Sequence, residues 1–326
     1  MNKKNIVYLF PGQGAQYSGM ALDLLSANAV KSLFDTASEI FGKDVNELLQ
    51  SEVEILKRTD VSQPTITLAN LAAAAFLGEQ GYSPAACAGF SLGEYAALVC
   101  SGIIDATGCF RLVKARGEAM QKTADRLREE SSQHSSGGDA SAAPGMAAVV
   151  GLAPAQVEEL IAQWSTAGLK DLYAANINSP KQVAVSGTAA ALAEAETRFK
   201  EAGAKRVIRL QVAGPFHSPL MSDSAEMFAP VLEAATFRDP VIPVYSNVTG
   251  RLIASGAEAK KLALEQITNP VRWIEEEAAV AACGIKACLE VGPGKVLQGL
   301  WRDSGSDIPC FAAGTVEDIS KIGGET

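Results

Sequence analysis

The hydrophobic pattern alternates between short, uninterrupted apolar runs and longer stretches with helical periodicity. Residues 5–10 (NIVYLF) and 84–90 (PAACAGF) are apolar apart from Asn5, which is typical of strands buried on both faces of a parallel sheet. The intervening chain has mostly helical pattern, so strands alternate with helices. The pattern therefore predicts an α/β fold with a mainly parallel sheet.

The clearest helix is predicted over residues 105–130. Asp105 is expected to cap its N-terminus. The apolar residues recur at spacings of three and four and form one helical face: Phe110, Val113, Gly117, Met120, Ala124 and Leu127. Arg116 lies at the edge of that stripe. The small, polar stretch 131–145 is predicted to be a flexible linker.

A second pattern covers residues 146–212. Strand-like and helical segments follow one another there in the order β-α-β-β-α-β, which is the ferredoxin-like unit. Residues 241–250 are predicted to form a strand, and alternation of helices and strands then resumes. We therefore predict a ferredoxin-like α+β subdomain inserted into a discontinuous larger domain made of residues 1–130 and 213–326.

Composition and charge exclude several classes of protein. The formal net charge of −9 leaves no general basic face for nucleic acid. No apolar run is long enough to span a membrane, and the basic N-terminus lacks the features of a signal peptide. The six cysteines and two histidines show no metal-ligand or disulfide spacing. We expect a cytoplasmic protein that binds no nucleic acid, membrane or metal.

The segment from Gly89 to Gly93 reads G-x-S-x-G, between a predicted strand and a predicted helix. This context is typical of a nucleophile elbow, although a plain tight turn is the alternative. A nucleophilic Ser91 needs a base. His134 lies in the predicted linker, so His217, which follows a Gly-Pro turn, is the candidate; an ordinary surface or core histidine is the alternative.

Two further features could bind a ligand. The glycine-rich turn after the first strand contains Gln13 and lacks the third glycine of the dinucleotide fingerprint, where Tyr17 stands. Its backbone N–H groups could face an oxyanion, or the turn could bind nothing. The guanidinium of Arg116 suits a carboxylate ligand; a surface arginine paired with Glu94 or Glu118 is the alternative.

Together these residues resemble the malonyl-CoA:acyl carrier protein transacylase family of type II fatty-acid biosynthesis. The similarity extends over about residues 5–315. It rests on an ordered set of segments: FPGQGAQYSGM, GFSLGEYAAL, RLVKARGEAMQ, NINSPKQVAVSG, GPFHSPLM, SNVTG, NPVRW and EVGPGKVLQGL. The resemblance implies an α/β-hydrolase-like core with an inserted ferredoxin-like subdomain.

The resemblance also implies a role for each matching residue. Ser91 would attack the malonyl thioester and His217 would accept its proton. Backbone N–H groups of Gln13 and Leu92 would hold the oxyanion, and Arg116 would bind the malonyl carboxylate.

Three weaker assignments follow from the same resemblance. The backbone carbonyl of Arg272 would orient the catalytic histidine. Asn176 and Asn178 would line a cleft for the pantetheine arm.

The implied reaction is the ping-pong transfer of malonyl from malonyl-CoA to the phosphopantetheine thiol of acyl carrier protein, through a malonyl-Ser91 intermediate. It needs no bound cofactor, because both thiols belong to the substrates. We expect a monomer.

The chain also has individual features that bear on the reaction. Phe90 replaces the histidine that usually precedes the nucleophile in this family. Phe216 resembles the bulky residue with which related enzymes reject methylmalonyl groups. The basic segment 200–209 is a candidate docking site for the acidic carrier protein.

Two other functions compete with this hypothesis. A serine thioesterase or esterase would use an Asp or Glu beside the histidine, and no such acid stands out before His217. A non-catalytic docking protein for acyl carriers would have no physical reason to keep Ser91, His217, Gln13 and Arg116 together.

Overall fold

The structure is a computed structural model that describes residues 3–133 and 143–324. The strands are β1 (Ile6–Phe10), β2 (Ala86–Gly89), β3 (Gly145–Val150), β4 (Leu172–Ser179), β5 (Gln182–Gly187), β6 (Arg206–Arg209), β7 (Ala287–Glu290) and β8 (Cys310–Ala312). The helices are α1 (Asn28–Phe41), α2 (Val45–Leu49), α3 (Val53–Leu56), α4 (Thr59–Glu79), α5 (Gly93–Cys100), α6 (Ala106–Gln133), α7 (Pro154–Thr166), α8 (Ala189–Glu201), α9 (Ser222–Ala234), α10 (Gly256–Glu265), α11 (Trp273–Ala281), α12 (Val296–Asp303) and α13 (Val316–Gly324). None of these helices is both long and apolar enough to cross a membrane.

The strands form two sheets, so the fold is mixed α/β. One sheet has the order β2-β1-β7-β8 and all its pairings are parallel. The other has the order β4-β5-β3-β6 and all its pairings are antiparallel. The predicted parallel sheet is confirmed, and it is accompanied by a separate antiparallel one.

Strand β1 explains why its sequence is apolar throughout. Successive side chains of a strand point to opposite faces. Ile6, Tyr8 and Phe10 lie in one hydrophobic core, whereas Val7 and Leu9 lie in another on the opposite face. Both faces are covered, so all five positions are buried.

Helix α6 begins where the sequence predicted but ends later. Asp105 caps it, because its side-chain oxygen accepts a hydrogen bond of 2.7 Å from the backbone N–H of Gly108. The helix continues to Gln133, so the first three residues of the predicted linker are helical. Residues 134–142 of that prediction, with His134, lie outside the described residues, and its last residue, Gly145, already belongs to β3.

The antiparallel sheet is built from consecutive elements. They follow in the order β3, α7, β4, β5, α8 and β6, and they enclose a hydrophobic core of their own. This unit joins the rest of the protein through two backbone hydrogen bonds of 2.8 Å, from Ile177 N to Val271 O and from Val271 N to Ala175 O. The end of β4 is thereby fixed to the segment that precedes α11.

The strand predicted over residues 241–250 is absent, so that prediction is wrong. The segment makes only isolated bridges, between Cys87 and Val244 and between Tyr245 and Leu252. Pro243 has no N–H with which to continue a strand pairing. The segment makes two backbone hydrogen bonds to β2, from Cys87 N to Pro243 O and from Tyr245 N to Cys87 O. The side chain of Asn247 then points into the interior, where it donates to the carbonyl of Gly89.

Candidate active site

The turn between β2 and α5 is as sharp as the G-x-S-x-G pattern requires. Ser91 has φ of +51°, a left-handed conformation that non-glycine residues rarely adopt. A Cβ atom on Gly89 would lie 2.1 Å from the backbone carbon of Gly93. One on Gly93 would lie 2.0 Å from the carbonyl oxygen of Phe10. Both glycines are therefore needed for the backbone to close this turn.

Ser91 and His217 form the predicted pair. The Oγ atom of Ser91 lies 2.7 Å from Nε2 of His217, and Nδ1 of His217 lies 2.9 Å from the backbone oxygen of Gln266. A carbonyl only accepts hydrogen bonds, so Nδ1 carries the proton and Nε2 accepts from the serine hydroxyl. The arrangement suits a serine that transfers its proton to an imidazole.

The predicted orienting carbonyl of Arg272 is a wrong assignment, because the carbonyl at His217 belongs to Gln266. Arg272 stands at the start of α11, where its carbonyl accepts hydrogen bonds from Glu275 N and Glu276 N. Since a helix uses the carbonyls of its first residues internally, this oxygen is not available to the histidine.

The environment of His217 keeps its imidazole neutral. Its side chain is buried, and burial together with the nearby Arg116 guanidinium lowers its pKa from 6.5 to about 4. Both effects disfavour the protonated form. The ring is therefore able to accept a proton throughout the neutral range.

Arg116 is a buried residue and not a surface one. It is 1% exposed, its Nη2 donates to Oε1 of Gln266 at 2.9 Å, and its guanidinium lies 5.5 Å from the centre of the Tyr95 ring. Its Nε has no hydrogen-bond partner within the described chain. The alternative of a surface ion pair is wrong, because Glu118 pairs with Lys114 and Glu94 is itself buried.

One cavity of about 130 Å³ brings the predicted residues together. It is lined by seven of them: Gln13, Ser91, Leu92, Arg116, Asn176, Asn178 and His217. Arg272 does not line it. A cation and a Ser–His pair therefore line the same cavity, which suits a ligand with a carboxylate at one end and an electrophilic carbonyl near it.

Two backbone N–H groups beside Ser91 are available to a ligand. Those of Gln13 and Leu92 donate no hydrogen bond to any other described residue. Gln13 follows the end of β1, and Leu92 caps α5, whose N-terminus adds a favourable dipole for an anion. This is the arrangement expected of an oxyanion hole.

The two asparagines lie on β4 at the other side of the cavity. Asn178 donates from Nδ2 to Oε1 of Gln182 at 3.0 Å, and its Oδ1 is buried with no partner among the described residues. Asn176 is buried and makes a parallel bridge with Val271. The side chain of Asn178 therefore retains a free acceptor at the cavity wall.

The sequence did not indicate the residue that links the site, Gln266. Its carbonyl holds His217, its Oε1 accepts from Arg116, and its Nε2 donates to the backbone oxygen of Ser91 at 3.1 Å. Its Nε2 also donates to Oδ1 of Asn247, whose backbone N–H donates to the carboxyl group of Glu94. Glu94 alone carried a sequence signal, as a single carboxylate in the otherwise apolar helix α5.

The chain is similar to known proteins over almost its whole length. The family model for the acyl transferase domain matches residues 7–321. The malonyl CoA-acyl carrier protein transacylase of Bacillus subtilis is 34% identical over 316 residues, which cover 96% of this chain and 95% of the relative.

Solved structures give the same result. The crystal structure of MCAT from Streptococcus pneumoniae superposes with a TM-score of 0.89 at 31% identity, covering 98% of this chain and 100% of that one. A malonyl-transacylase in complex with its type II PKS acyl-carrier protein gives 0.86 at 33% identity, covering 97% and 98%. The chain therefore belongs to the acyl transferase family, together with the malonyl CoA-acyl carrier protein transacylases.

Proposed function

We propose that this protein transfers the malonyl group of malonyl-CoA to the phosphopantetheine thiol of acyl carrier protein, through a malonyl ester on Ser91. The observation that carries the proposal is a Ser91–His217 hydrogen bond of 2.7 Å in the cavity that also contains the buried Arg116. The names of the relatives, which are malonyl transacylases, support the same substrates.

In the first half-reaction, Oγ of Ser91 attacks the thioester carbonyl while its proton passes to Nε2 of His217. The oxyanion of the tetrahedral intermediate accepts hydrogen bonds from the N–H groups of Gln13 and Leu92. The C–S bond then breaks, His217 returns the proton to the CoA sulfur, and the malonyl ester remains on Ser91.

The second half-reaction runs the same chemistry in reverse. The thiol of the carrier protein loses its proton to Nε2 of His217 and attacks the ester carbonyl of malonyl-Ser91. The serine leaves with the proton from His217, and the malonyl thioester departs on the carrier. The backbone carbonyl of Gln266 holds the imidazole in one tautomer in both directions.

Arg116 selects for the malonyl group. Its Nε is buried with no hydrogen-bond partner among the described residues, and its Nη2 donates to the neutral amide of Gln266. A malonyl carboxylate would accept hydrogen bonds from that guanidinium, whereas an acetyl group would leave its Nε buried without a partner. Such a mismatch costs about 1–3 kcal/mol or more for a charged group.

The pantetheine arm enters between the two sheets. We assign Asn176 and Asn178 to this path because they line the cavity from β4, and an amide suits the amide groups of pantetheine. Phe216 lies at the same cavity and narrows it beside the base, which favours an unbranched malonyl group.

The fold itself fits the same proposal. The elbow at Ser91 and the parallel sheet support an α/β-hydrolase-like core made of residues 1–130 and 213–326. The order β4-β5-β3-β6 over consecutive β-α-β-β-α-β elements supports a ferredoxin-like subdomain over 146–212. We infer a cytoplasmic monomer that needs no bound cofactor, because both thiols arrive with the substrates.

Edge strand β6 is our proposed docking site for the acidic carrier protein. It contributes the exposed Arg206 and Arg209, and the chain that follows it reaches the cavity at Leu210 and Val212. A basic surface next to the cavity suits an acidic partner, although the chain as a whole is acidic.

A thioesterase is less well supported. Such an enzyme would orient its histidine with a carboxylate, whereas Nδ1 of His217 lies against a backbone carbonyl. A hydrolase of neutral esters would also gain nothing from a buried arginine at the acyl end of the cavity. A non-catalytic docking protein has no need of the Ser91–His217 hydrogen bond.

The test is intact-protein mass spectrometry after brief mixing with malonyl-CoA or acetyl-CoA. We expect a malonyl-sized adduct that disappears in Ser91→Ala. In Arg116→Ala, malonyl labelling should fall at least about tenfold while acetyl labelling gains relative to it. No adduct from either thioester would refute the proposal.

A further inference from the structure

A chain of hydrogen bonds connects Arg116 to two buried carboxyl groups. Nη2 of Arg116 donates to Oε1 of Gln266 at 2.9 Å, and Nε2 of Gln266 donates to Oδ1 of Asn247 at 3.2 Å. The backbone N–H of Asn247 donates to Oε2 of Glu94, and its Nδ2 donates to Oε1 of Glu276, both at 2.7 Å. All five residues are at most 1% exposed.

The two acids differ in their surroundings. Burial and the neighbouring Glu94 raise the pKa of Glu276 well above its ordinary value, and its Oε2 has no partner among the described residues, so it stays protonated. Burial also raises the pKa of Glu94, to about 7, but hydrogen bonds from Asn247 and Gln266 and the charge of Arg116 oppose that rise. Glu94 is therefore the acid whose charge balances Arg116.

The other titratable groups near Glu94 stay neutral around pH 7. Burial raises the pKa of Tyr95, the next residue on α5. The pKa of His217, which also lies near Arg116, is lowered to about 4. A proton exchanged at this site near neutral pH consequently belongs to Glu94.

We propose that Glu94 takes up a proton when an acyl group bearing a carboxylate binds at Arg116. The malonyl carboxylate would cancel the positive charge that stabilises the Glu94 anion, and a buried region tolerates one cation with one anion better than with two. Glu94 does not touch the acyl group; it acts by balancing the charge of Arg116. The inference rests on the proposed function.

The proposal has a consequence for selectivity. Where Glu94 of the unliganded protein is ionised, malonyl-CoA binding consumes a proton. The affinity for malonyl-CoA should therefore fall by up to about tenfold per pH unit above the pKa of Glu94. Acetyl-CoA lacks the carboxylate and should show no such dependence. Malonyl preference over acetyl is therefore greatest below the pKa of Glu94 and declines above it.

The test uses Ser91→Ala, which cannot be acylated, in calorimetric titrations at about pH 8 in buffers with different ionisation enthalpies. Binding of malonyl-CoA should be accompanied by the uptake of more than about half a proton beyond the uptake that accompanies binding of acetyl-CoA. The two thioesters share the CoA phosphates, so the difference isolates the malonyl carboxylate. Adding Glu94→Gln should abolish this difference, whereas adding Glu276→Gln, on the same Asn247, should leave it intact.

The outcomes separate the two proposals. The inference is overturned if malonyl-CoA binding takes up no more protons than acetyl-CoA binding, or if Glu94→Gln leaves the excess unchanged. Neither result bears on the proposed transacylase activity. Malonyl-CoA binding that is no tighter than acetyl-CoA binding at about pH 6, below the pKa of Glu94, overturns the proposed function.

A spectroscopic measurement guards against a Glu94→Gln variant that does not fold. Infrared difference spectra of Ser91→Ala should gain the carbonyl band of a protonated carboxyl group when malonyl-CoA binds, and not when acetyl-CoA binds. The absence of that band would also overturn the inference.

Discussion

At the scale of single residues, the site depends on two strained backbones. Ser91 and His217 have φ of +51° and +55°, and such conformations cost about 1–3 kcal/mol each for non-glycine residues. Their neighbours hold them in place: Gln266 binds the backbone of Ser91 and the ring of His217, and the Ser186 hydroxyl donates to the carbonyl of Phe216, just before the base. The strain fixes the serine and imidazole within hydrogen-bonding distance.

The lowered pKa of His217 predicts an unusual pH profile. The neutral ring is the active form, so the acid limb of acylation at limiting malonyl-CoA should be centred near about pH 4, well below 6.5. Stopped-flow measurement of CoA release against pH checks this. An acid limb centred near 6.5 would show that the imidazole is not desolvated in the working enzyme.

Ser186 is predicted to position His217 from the antiparallel sheet. Ser186→Ala removes its hydrogen bond to Phe216 O, and the loss of about 1 kcal/mol should lower kcat about fivefold with little change in KM. Ser179→Ala is the matched control, since this serine is also buried in the sheet but serves only a local turn at Lys181. Equal kinetics for the two variants would rule out the positioning role.

The sequence anticipated the reacting residues better than the residue that organises them. Ser91 stands in a recognisable motif, and scarcity of histidine leaves few candidates for its base. Gln266 acts on His217 through its backbone carbonyl, which every residue type possesses, so no side-chain pattern could identify it. The same reason explains the wrong choice of Arg272.

At the scale of elements, the elbow depends on how closely α5 approaches β1. The N–H of Phe90 donates to Phe10 O at 2.9 Å, and Gly93 lies against the same carbonyl. Apolar runs predicted β1 and β2 because both faces are buried. The segment 241–250 was misassigned because its apolar residues also fit a strand, whereas its proline and its turn at Asn247 limit pairing to isolated bridges.

Gly93→Ala should disrupt this approach. Its new Cβ would lie 2.0 Å from the backbone oxygen of Phe10, so we expect a loss of several kcal/mol in the free energy of unfolding and little activity. Gly299→Ala, in α12, meets nothing within 4 Å and should stabilise the protein by up to about 1 kcal/mol. Chemical denaturation gives the free energy of unfolding of both variants. Equal values for the two would contradict the close contact between Gly93 and Phe10.

At the scale of the whole molecule, the cavity forms where the two sheets meet. Ser91 and Arg116 reach it from the elements around the parallel sheet, and Asn176 and Ala184 reach it from the antiparallel one. Periodicity along the chain predicted both groups of elements. It could not predict their relative placement, which is set by contacts between distant segments such as Ile177 with Val271.

Buried acids should make stability depend on pH in an unusual direction. Burial raises the pKa of Glu94 to about 7 and of Glu277 to about 8. Above about pH 4.5 the folded state therefore holds protons that the unfolded state has lost, and stability falls as the pH rises towards 8. His217 acts oppositely, with stability lost as the pH falls from 6.5 towards 4, but one histidine offsets only one of the two acids, so these groups together place the maximum near about pH 4.5.

Thermal unfolding at several pH values checks whether stability falls as the pH rises. The melting temperature should be higher at about pH 6 than at about pH 8.5. Glu277→Gln keeps an acceptor for the Trp273 indole N–H and should flatten the slope by up to about 1.4 kcal/mol per pH unit. A melting temperature that rises between these two pH values would contradict the account.

The most direct test of the central claim is a chase of the isolated acyl-enzyme. The protein is loaded with malonyl-CoA, freed of CoA and mixed with either holo acyl carrier protein or buffer alone, and both proteins are weighed by mass spectrometry. The account predicts that the malonyl mass leaves Ser91 rapidly only when the carrier is present and reappears on the carrier's phosphopantetheine. Loss of the adduct at the same rate in buffer, with an unmodified carrier, would contradict the account and identify a hydrolase.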